Sequence, residues 1–313
     1  MMHLSRRHSA ALGAALLYFA LGLAPAQAQV AQVVSENEAA RVVLHAQGET
    51  EVPVHPHRIV ALHNIFSEAL VALGEAPVGA VVRPSGLPDQ LADALADTAL
   101  VGDQSAPDFE AILALDPDLI LAQADEIGDN YELLSAIAPT LLLDEPNVDW
   151  RQWLIGLGEA VGKPDAAHDA VDAYDAHAAA VKAQVAAVRP DDTVLVLRVR
   201  EKDLRVYGGA RRSGLVLYQD LGLNPHPLVD LNEDSVTVSN EIIPELTADH
   251  LFLMVEDEDK MAGIEATALW QALPAVQAGH VYRVNMEPWN RSTGPISFAA
   301  IVDDVAAHLG TAD

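Results

Sequence analysis

The sequence predicts an α/β protein of two lobes joined by one rigid helix. Short apolar strand patterns alternate with amphipathic helix patterns along most of the 313 residues, an order typical of parallel sheets. One long helical pattern, Asp165 to Arg189, interrupts this alternation, and the segments before and after it resemble each other. The alternative is an ordinary surface helix within one α/β domain, but the matched halves favour a strut between two lobes.

The long helical pattern contains no glycine or proline between Pro164 and Pro190, and eleven of its 25 residues are alanine. Asp165 is a suitable N-cap. At 1.5 Å per residue the helix would be about 37 Å long, the width of a small domain. Apolar residues recur every three or four positions and define one face of the helix: Val171, Tyr174, Ala178, Val181, Val185 and Val188.

Residues 1–28 have the three regions of a signal peptide. Arg6 and Arg7 precede an apolar run from Ala10 to Leu23, and small residues follow it. The apolar run is shorter than the roughly 20 residues that a membrane-spanning helix needs. We therefore expect export, with cleavage after Ala26 or Ala28, and no direct membrane insertion. The paired arginines leave the choice between the general and the twin-arginine export route open.

The composition restricts the function further. A chain of this length fits two domains, and its formal net charge is −28. Such an acidic surface repels nucleic acid and anionic lipid, so neither is expected as a partner. Cysteine is absent, which excludes disulfides, thiolate metal sites, a cysteine nucleophile and a lipid-modified N-terminal cysteine.

Hydrophobic periodicity and helix-capping residues predict the strands and helices before the long helix. Residues 29–50 alternate apolar and polar positions and predict a lead-in strand or hairpin. Further strands are expected at 59–62, 78–82, 119–121 and 141–143, and helices at 68–73, 109–115 and 131–137.

The same alternation restarts after the long helix. Strands are expected at 193–199, 251–255 and 281–284, and helices at 215–221, 241–246, 267–273 and 296–309. The internal match is specific. Leucine lies five residues and aspartate eight residues after Glu110, and the same offsets from Glu241 give Leu246 and Asp249. Two homologous lobes explain this match better than one irregular domain does.

Signatures of common enzyme classes are missing. The sequence has no GxSxG, HExxH or dinucleotide fingerprint, and the glycine-rich loop Gly208 to Gly214 lacks the lysine of a P-loop. His55, His57 and His63 lie close together in the sequence, but their spacing is not that of a chelating motif. We expect them to be connector residues, and a metal-dependent hydrolase that uses them is the alternative from another functional class.

Arginines are concentrated at one expected position in the fold. Five lie within fifteen residues at or after the strand 193–199: Arg198, Arg200, Arg205, Arg211 and Arg212. Arg83 follows a strand of the first lobe in the same way, and open α/β sheets bind ligands beyond these strand ends. Salt bridges to the abundant carboxylates are the ordinary interpretation. The functional interpretation is capture of an anionic, oxygen-rich ligand. Tyr207, Trp289 and Arg291 are expected to line the same cleft.

Five segments, in order around the central helix, resemble one family: HPHRIVALHNIFSEALVALGEAPVGAV, DFEAILALDPDLILA, YELLSAIAPTLLL, SGLVLYQDLGLNP and WQALPAVQAGHVYRVN. They resemble the periplasmic binding proteins of iron-siderophore, haem and cobalamin ABC importers, of the helical-backbone metal receptor type. The resemblance implies two Rossmann-like lobes with central mostly parallel sheets, joined by one long α-helix. It also implies a shallow inter-lobe cleft, no catalysis, and small closure movements.

The resemblance also divides the chain and gives the internal match a purpose. The expected parts are the signal peptide (1–28), an N-terminal lobe (29–163), the linking helix (164–189) and a C-terminal lobe (190–313). In the family, one glutamate on each lobe docks onto a permease subunit, and Glu110 and Glu241 stand at these positions. The alternative is that both glutamates only favour a helix N-terminus electrostatically.

The ligand expected from the resemblance is an iron(III) chelate, which is transported cargo and not a resident cofactor. SGLVLYQDLGL and PWN are most similar to binders of ferric siderophores or ferric citrate, and the arginines favour an anionic complex. The implied protein is a monomeric, freely diffusing periplasmic protein that delivers its ligand to an inner-membrane ABC permease dimer. Its ligand-binding residues would be Arg83, Arg200, Tyr207, Arg211, Arg212, Trp289 and Arg291. Haem, with Tyr207 or a histidine as axial ligand, and cobalamin are the alternatives.

Overall fold

The computed structural model describes residues 30–144 and 149–311 of the chain. The predicted signal peptide lies outside these residues. The described residues begin with a small antiparallel sheet in the order β1-β2-β3, which confirms the predicted lead-in hairpin and adds a strand to it. Its strands are β1 (Gln32–Glu36), β2 (Ala40–His45) and β3 (Gly48–Pro53).

The N-terminal lobe is built on a six-stranded sheet in the order β7-β6-β5-β4-β8-β9. Only the pairing of the two-residue strand β7 with β6 is antiparallel in this sheet. The predicted strands of this lobe are all present. They are β4 (Ile59–Ala61), β5 (Gly79–Val82), β8 (Leu119–Gln123) and β9 (Thr140–Leu143). The sequence did not predict the other two strands, β6 (Ala99–Asp103) and β7 (Ala106–Pro107).

The C-terminal lobe has a mixed sheet in the order β13-β11-β10-β14-β15, with β12 also paired to β10. β10, β12, β14 and β15 pair in parallel, whereas β11 pairs antiparallel with both β10 and β13. The sequence did not predict β11 or β13. The strands are β10 (Thr193–Val199), β11 (Leu204–Tyr207), β12 (Asn224–Pro225), β13 (Ser235–Val238), β14 (His250–Val255) and β15 (Val281–Arg283).

The helices cover both faces of the two large sheets. The α-helices of the N-terminal lobe are α1 (Asn64–Ala72), α2 (Phe109–Ala114), α3 (Ala124–Ile127), α4 (Tyr131–Ile137) and α5 (Trp150–Ala160). The linking helix and the C-terminal lobe contribute α6 (Pro164–Val188), α7 (Arg212–Gly214), α8 (Glu258–Glu265), α9 (Ala268–Gln271), α10 (Pro274–Ala278) and α11 (Pro295–Leu309). Short 3₁₀ turns span Asp89–Leu91, Gly128–Asn130 and Asn240–Glu245, and π-helical turns span Leu215–Asp220 and Glu287–Arg291.

The linking helix α6 confirms the predicted strut, and it is buried on the predicted face except at Val188, which is exposed at its last turn. Val171, Tyr174, Ala178, Val181 and Val185 are buried and belong to a hydrophobic core that continues from one lobe into the other. Two further core clusters fill the outer faces of the two large sheets. Because the lobes share a packed core around α6, the linking helix is a rigid connection and not a free hinge.

The internal match of the two halves has a structural basis. Asp118, just before β8, accepts the backbone N–H groups of His57 and Arg58 at 2.8 and 2.9 Å. Asp249, just before β14, accepts the backbone N–H of Thr193 at 2.7 Å. In each lobe this aspartate therefore fixes the start of the neighbouring parallel strand by satisfying backbone donors.

Candidate ligand-binding site

Charged side chains collect where the parallel strands of both lobes end. Arg83 follows β5, Arg198 and Arg200 lie at the end of β10, and Glu256 follows β14. The loop 285–291 follows β15 and lies against the N-terminal lobe. The carboxyl ends of parallel strands are the usual ligand-binding edge of open α/β sheets.

Arg83 and the loop 285–291 connect the two lobes. Arg83 Nη1 donates a hydrogen bond to the backbone carbonyl of Arg291 at 2.9 Å, and the same nitrogen lies 3.8 Å from Glu287 Oε2. Ser85 Oγ donates to Glu287 Oε1 at 3.1 Å. The sequence predicted that Arg83 and Arg291, which belong to different lobes, both line the cleft. The structure brings these two residues into contact.

Glu256 is the centre of a second group of arginines. Its carboxylate accepts a hydrogen bond from Arg198 and lies 3.4 Å from Arg200 Nε and 3.8 Å from Arg291 Nη2. Burial alone would raise the pKa of Glu256, but the hydrogen bond from Arg198 and the nearby guanidinium charges outweigh burial and lower the pKa. Glu256 is therefore ionised and holds three arginines beside one strand end.

Arg212 approaches the same cleft from the C-terminal lobe. Its Nη1 lies 3.8 Å from Asp234 Oδ2, and its backbone has φ of +50°, an uncommon conformation for a long side chain. The pKa of Arg83 is lowered, chiefly by burial, with Glu287 opposing this effect and the positive charges of Arg291 and Arg212 adding to it. The positive charge of Arg212 on the C-terminal lobe therefore acts on Arg83 of the N-terminal lobe. Arg211 is half-buried at the start of α7.

The arginines of the cleft retain surface that a solute can reach. The side chains of Arg83, Arg200 and Arg291 are 20%, 33% and 34% exposed. Five arginines, Arg83, Arg198, Arg200, Arg212 and Arg291, are compensated by the ion-paired carboxylates Asp203, Asp234, Glu256 and Glu287. The oxygen atoms of an anionic ligand can replace these carboxylates as partners of the arginines.

Tyr207 and Trp289 lie beneath the cleft and not on its surface, so their predicted roles need correction. Trp289 is 0% exposed, packs against Phe252 and donates its Nε1–H to Asp304 at 2.6 Å. Tyr207 is 2% exposed, accepts a hydrogen bond from Arg198 at 3.1 Å and donates to Asn290. Neither ring offers a face for stacking in this conformation. Both residues support the arginines and the loop 285–291 from below.

The glycine-rich loop is explained by close packing. A Cβ atom on Gly208 would overlap the carbonyl oxygens of Asp230 and Glu233, and one on Gly214 would overlap the carbonyl oxygen of Gly208. The glycines therefore let the chain approach the segment 230–234, which brings Asp234 near Arg212. This explanation agrees with the absence of the P-loop lysine.

The three histidines do not form a site together. His55 and His57 are exposed, whereas His63 is buried and its Nδ1 caps α1 by accepting the N–H of Ile65 at 3.2 Å. In the described ranges 30–144 and 149–311, no group of three or more histidine or acidic side chains is placed to hold a metal ion. His63 therefore serves the start of α1.

Glu110 and Glu241 occupy equivalent local structures in the two lobes. Asp108 caps α2 by accepting the N–H groups of Glu110 and Ala111, both at 3.0 Å. Ser239 caps the 3₁₀ turn Asn240–Glu245 by accepting the N–H of Glu241 at 3.3 Å. Both glutamate residues are exposed, so each lobe presents one carboxylate at the start of a capped helical turn.

The sequence interpretation missed the acidic members of the site. Glu256 directly follows the strand Leu251–Val255, in the position that Arg83 has after β5, so the rule used for the arginines would have found it. Glu287 had no such signal. Its role depends on contacts with Ser85 and Arg83, about 200 residues earlier in the chain.

Fold and site together define a class: a two-lobed binding protein with an arginine-rich cleft between α/β lobes on one rigid helix. The sequence pattern of the periplasmic binding protein family matches residues 59–287. The chain therefore belongs to the periplasmic binding protein family, and it is a substrate-binding protein and not an enzyme. This finding overturns the hydrolase alternative. In the described part of the chain, no helix combines the length and apolarity that crossing a membrane requires.

Similar proteins agree with this assignment. The chain is 31% identical over 285 residues to a probable siderophore-binding lipoprotein, YfiY, of Bacillus subtilis, covering 86% of this chain and 87% of the relative. It is 29% identical over 257 residues to the Fe(3+) dicitrate-binding periplasmic protein FecB of Escherichia coli, covering 80% and 83%. The solved structure of Staphylococcus aureus SirA complexed with staphyloferrin B superposes with a TM-score of 0.72 at 29% identity, covering 86% and 98%. The fold predicted from the sequence is therefore confirmed.

Proposed function

We propose that the protein captures an anionic iron(III) chelate, ferric citrate or a siderophore rich in carboxylates, in the cleft between its lobes. The observation that carries the proposal is the hydrogen bond from Arg83 of the N-terminal lobe to the backbone of Arg291 of the C-terminal lobe, with the positive charge of Arg212, also on the C-terminal lobe, acting on Arg83. A guanidinium group presents a planar set of donors that matches carboxylate oxygens. Only a ligand held between the lobes contacts all three arginines.

The named relatives support this ligand class. Two of them are described as binding ferric dicitrate or staphyloferrin B, and a third as siderophore-binding. Haem as the ligand would require an axial donor at the cleft surface. Tyr207, the predicted donor, is buried and hydrogen-bonded on both sides of its hydroxyl. The anionic chelate is therefore the function that this geometry supports best.

The proposal includes delivery of the ligand to an inner-membrane ABC permease from the periplasm. Exposed Glu110 and Glu241 support it, because two equivalent carboxylates on two related lobes suit a permease with two related subunits. Signal-peptide cleavage near Ala26 or Ala28 would release the protein as a soluble monomer. The same proposal divides the chain into two lobes, 29–163 and 190–313, with the helix 164–189 between them.

A titration of the purified protein tests the ligand class. The four tryptophans, Trp150, Trp153, Trp270 and Trp289, are all buried, and Trp289 lies below the arginines, so its emission should respond to the cleft. We expect saturable quenching by ferric citrate or ferric staphyloferrin B, and a weaker response to a neutral ferric hydroxamate. The gallium(III) complexes, which bind without strong absorption, are the control for optical artefacts. Saturation by haem or cobalamin alone would overturn the proposal.

A further inference from the structure

Glu287 makes contacts with both lobes at the centre of the cleft. It lies in the loop after β15 in the C-terminal lobe, where its Oε1 accepts a hydrogen bond from Arg291 Nη1 at 3.0 Å. The same oxygen accepts a hydrogen bond from Ser85 of the N-terminal lobe at 3.1 Å. Glu287 therefore joins the lobes through a carboxylate that lies between two arginines predicted to bind the ligand.

The second oxygen of Glu287 is poorly satisfied. Oε2 is buried and has no hydrogen-bond donor, and Arg83 Nη1 lies 3.8 Å from it. A buried carboxylate oxygen without a donor is costly, because it has lost its hydration without gaining a partner. Replacing this contact by a better-oriented oxygen from a ligand would therefore cost little.

Glu256, the other glutamate that pairs with the cleft arginines, differs in this respect. It accepts a direct hydrogen bond from Arg198 and lies near Arg200 and Arg291, and these groups lower its pKa. Its contacts lie entirely within the C-terminal lobe. Of the two carboxylates, Glu287 is thus the one whose displacement would free arginines facing both lobes.

We propose that Glu287 is an internal anion that holds the ligand-free cleft together and that an anionic group of the ligand displaces. The inference rests on the proposed function and deepens it. Displacement requires a ligand with an anionic oxygen that is not used to coordinate iron. Glu287 therefore limits the affinity for anionic ferric chelates, because it competes with them for Arg83 and Arg291.

Glu287→Gln tests this role because it removes the charge and keeps an oxygen that can accept from Ser85. We expect the affinity for ferric citrate or ferric staphyloferrin B to rise about tenfold, because one repelling charge is removed from beside the ligand. A neutral ferric hydroxamate should show no comparable gain. The matched control is Glu265→Gln, the same change at a carboxylate that pairs with Arg283 on the C-terminal lobe, and it should change neither affinity.

Unchanged or weaker binding of the anionic chelates by Glu287→Gln would overturn the inference, since Glu287 would then only position Arg83 and Arg291. If the wild-type protein binds no ferric chelate, the proposed function fails. Hydrogen exchange of the ligand-free protein then decides the inference separately. Faster exchange of backbone amides in residues 83–90 of Glu287→Gln than of Glu265→Gln supports the inter-lobe contact, and equal exchange contradicts it.

Discussion

Glu68 is a buried carboxylate that fixes the start of the last helix. It lies on α1 and is 1% exposed. Its Oε1 accepts the backbone N–H of Ser297 at 2.7 Å, and its Oε2 lies 2.6 Å from the hydroxyl of Ser297, which also accepts a hydrogen bond from Gln90. Because Ser297 lies in the first turn of α11, Glu68 satisfies a donor that the helix itself leaves unpaired.

Burial raises the pKa of Glu68, and the hydrogen bonds from Ser297 offset only part of this effect. A carboxyl group with a raised pKa in the folded state stabilises the protein fully below its unfolded pKa, about 4.5, and this contribution is lost as the pH rises through the folded pKa. Glu68→Gln should therefore gain stability relative to the wild type as the pH rises from 5 to 8. Urea unfolding at both pH values measures this difference.

Glu132→Gln, the same change at an exposed position of α4, is the control and should show no such trend. Glu68→Ala should destabilise the protein by about 1–3 kcal/mol at pH 5, because it leaves the Ser297 N–H buried without an acceptor. A Glu68→Gln variant whose stability follows the wild type at both pH values would show that folding does not raise the pKa of Glu68.

At the residue scale, the sequence predicted the arginines of the site better than the carboxylates that pair with them. Arg83 and Arg200 were identifiable because each directly follows a strand. The burial of Tyr207 and Trp289 could not be predicted, since an aromatic residue in a loop is equally suited to a cleft surface and to the core beneath it. Glu287 depends on contacts between lobes, which no local pattern encodes.

At the element scale, the sequence predicted β10 and α6 closely but missed β11 and β13. β10 has the predicted bounds, and α6 differs from the prediction by one residue at each end. The residues of β13, Ser-Val-Thr-Val, alternate polar and apolar, but in the structure all four are half-exposed or exposed, so no buried face marks the strand. It is a strand because it pairs with β11, a contact between separate segments.

The two capped helical turns that carry Glu110 and Glu241 lead to a prediction about delivery. Glu110→Lys together with Glu241→Lys should abolish permease-dependent uptake of the ferric chelate, because both carboxylates are exposed and available to a cationic partner. Affinity for the free chelate should stay within about twofold, since neither residue is near the cleft arginines. Radiolabelled iron uptake and equilibrium binding measure the two effects.

The control for this variant is Glu132→Lys with Glu258→Lys, which reverses the charge of one exposed residue on each lobe away from the two turns. Uptake by the control variant should be near that of the wild type. Loss of chelate binding in Glu110→Lys, Glu241→Lys would contradict the docking role, because the residues would then act on the cleft. Unchanged uptake would contradict it as well.

At the scale of the whole molecule, the shared core around α6 and α11 explains how two lobes act as one binding unit. The core cluster contains Phe66 and Trp153 from the N-terminal lobe together with Phe252 and Trp289 from the C-terminal lobe. Opening the lobes widely would expose this core, which is unfavourable. We therefore expect ligand binding to rearrange side chains and loops at the cleft more than it moves the lobes.

The most direct test of the central claim is the affinity of a variant that removes one cleft arginine from each lobe. Arg83→Gln with Arg212→Gln should weaken binding of ferric citrate or ferric staphyloferrin B about 100-fold, because two charge-assisted contacts are lost. Arg283→Gln, at an exposed arginine paired with Glu258 and Glu265, should bind like the wild type. If the double variant folds normally and binds these chelates with unchanged affinity, the arginines of the cleft do not hold the ligand and the account is wrong.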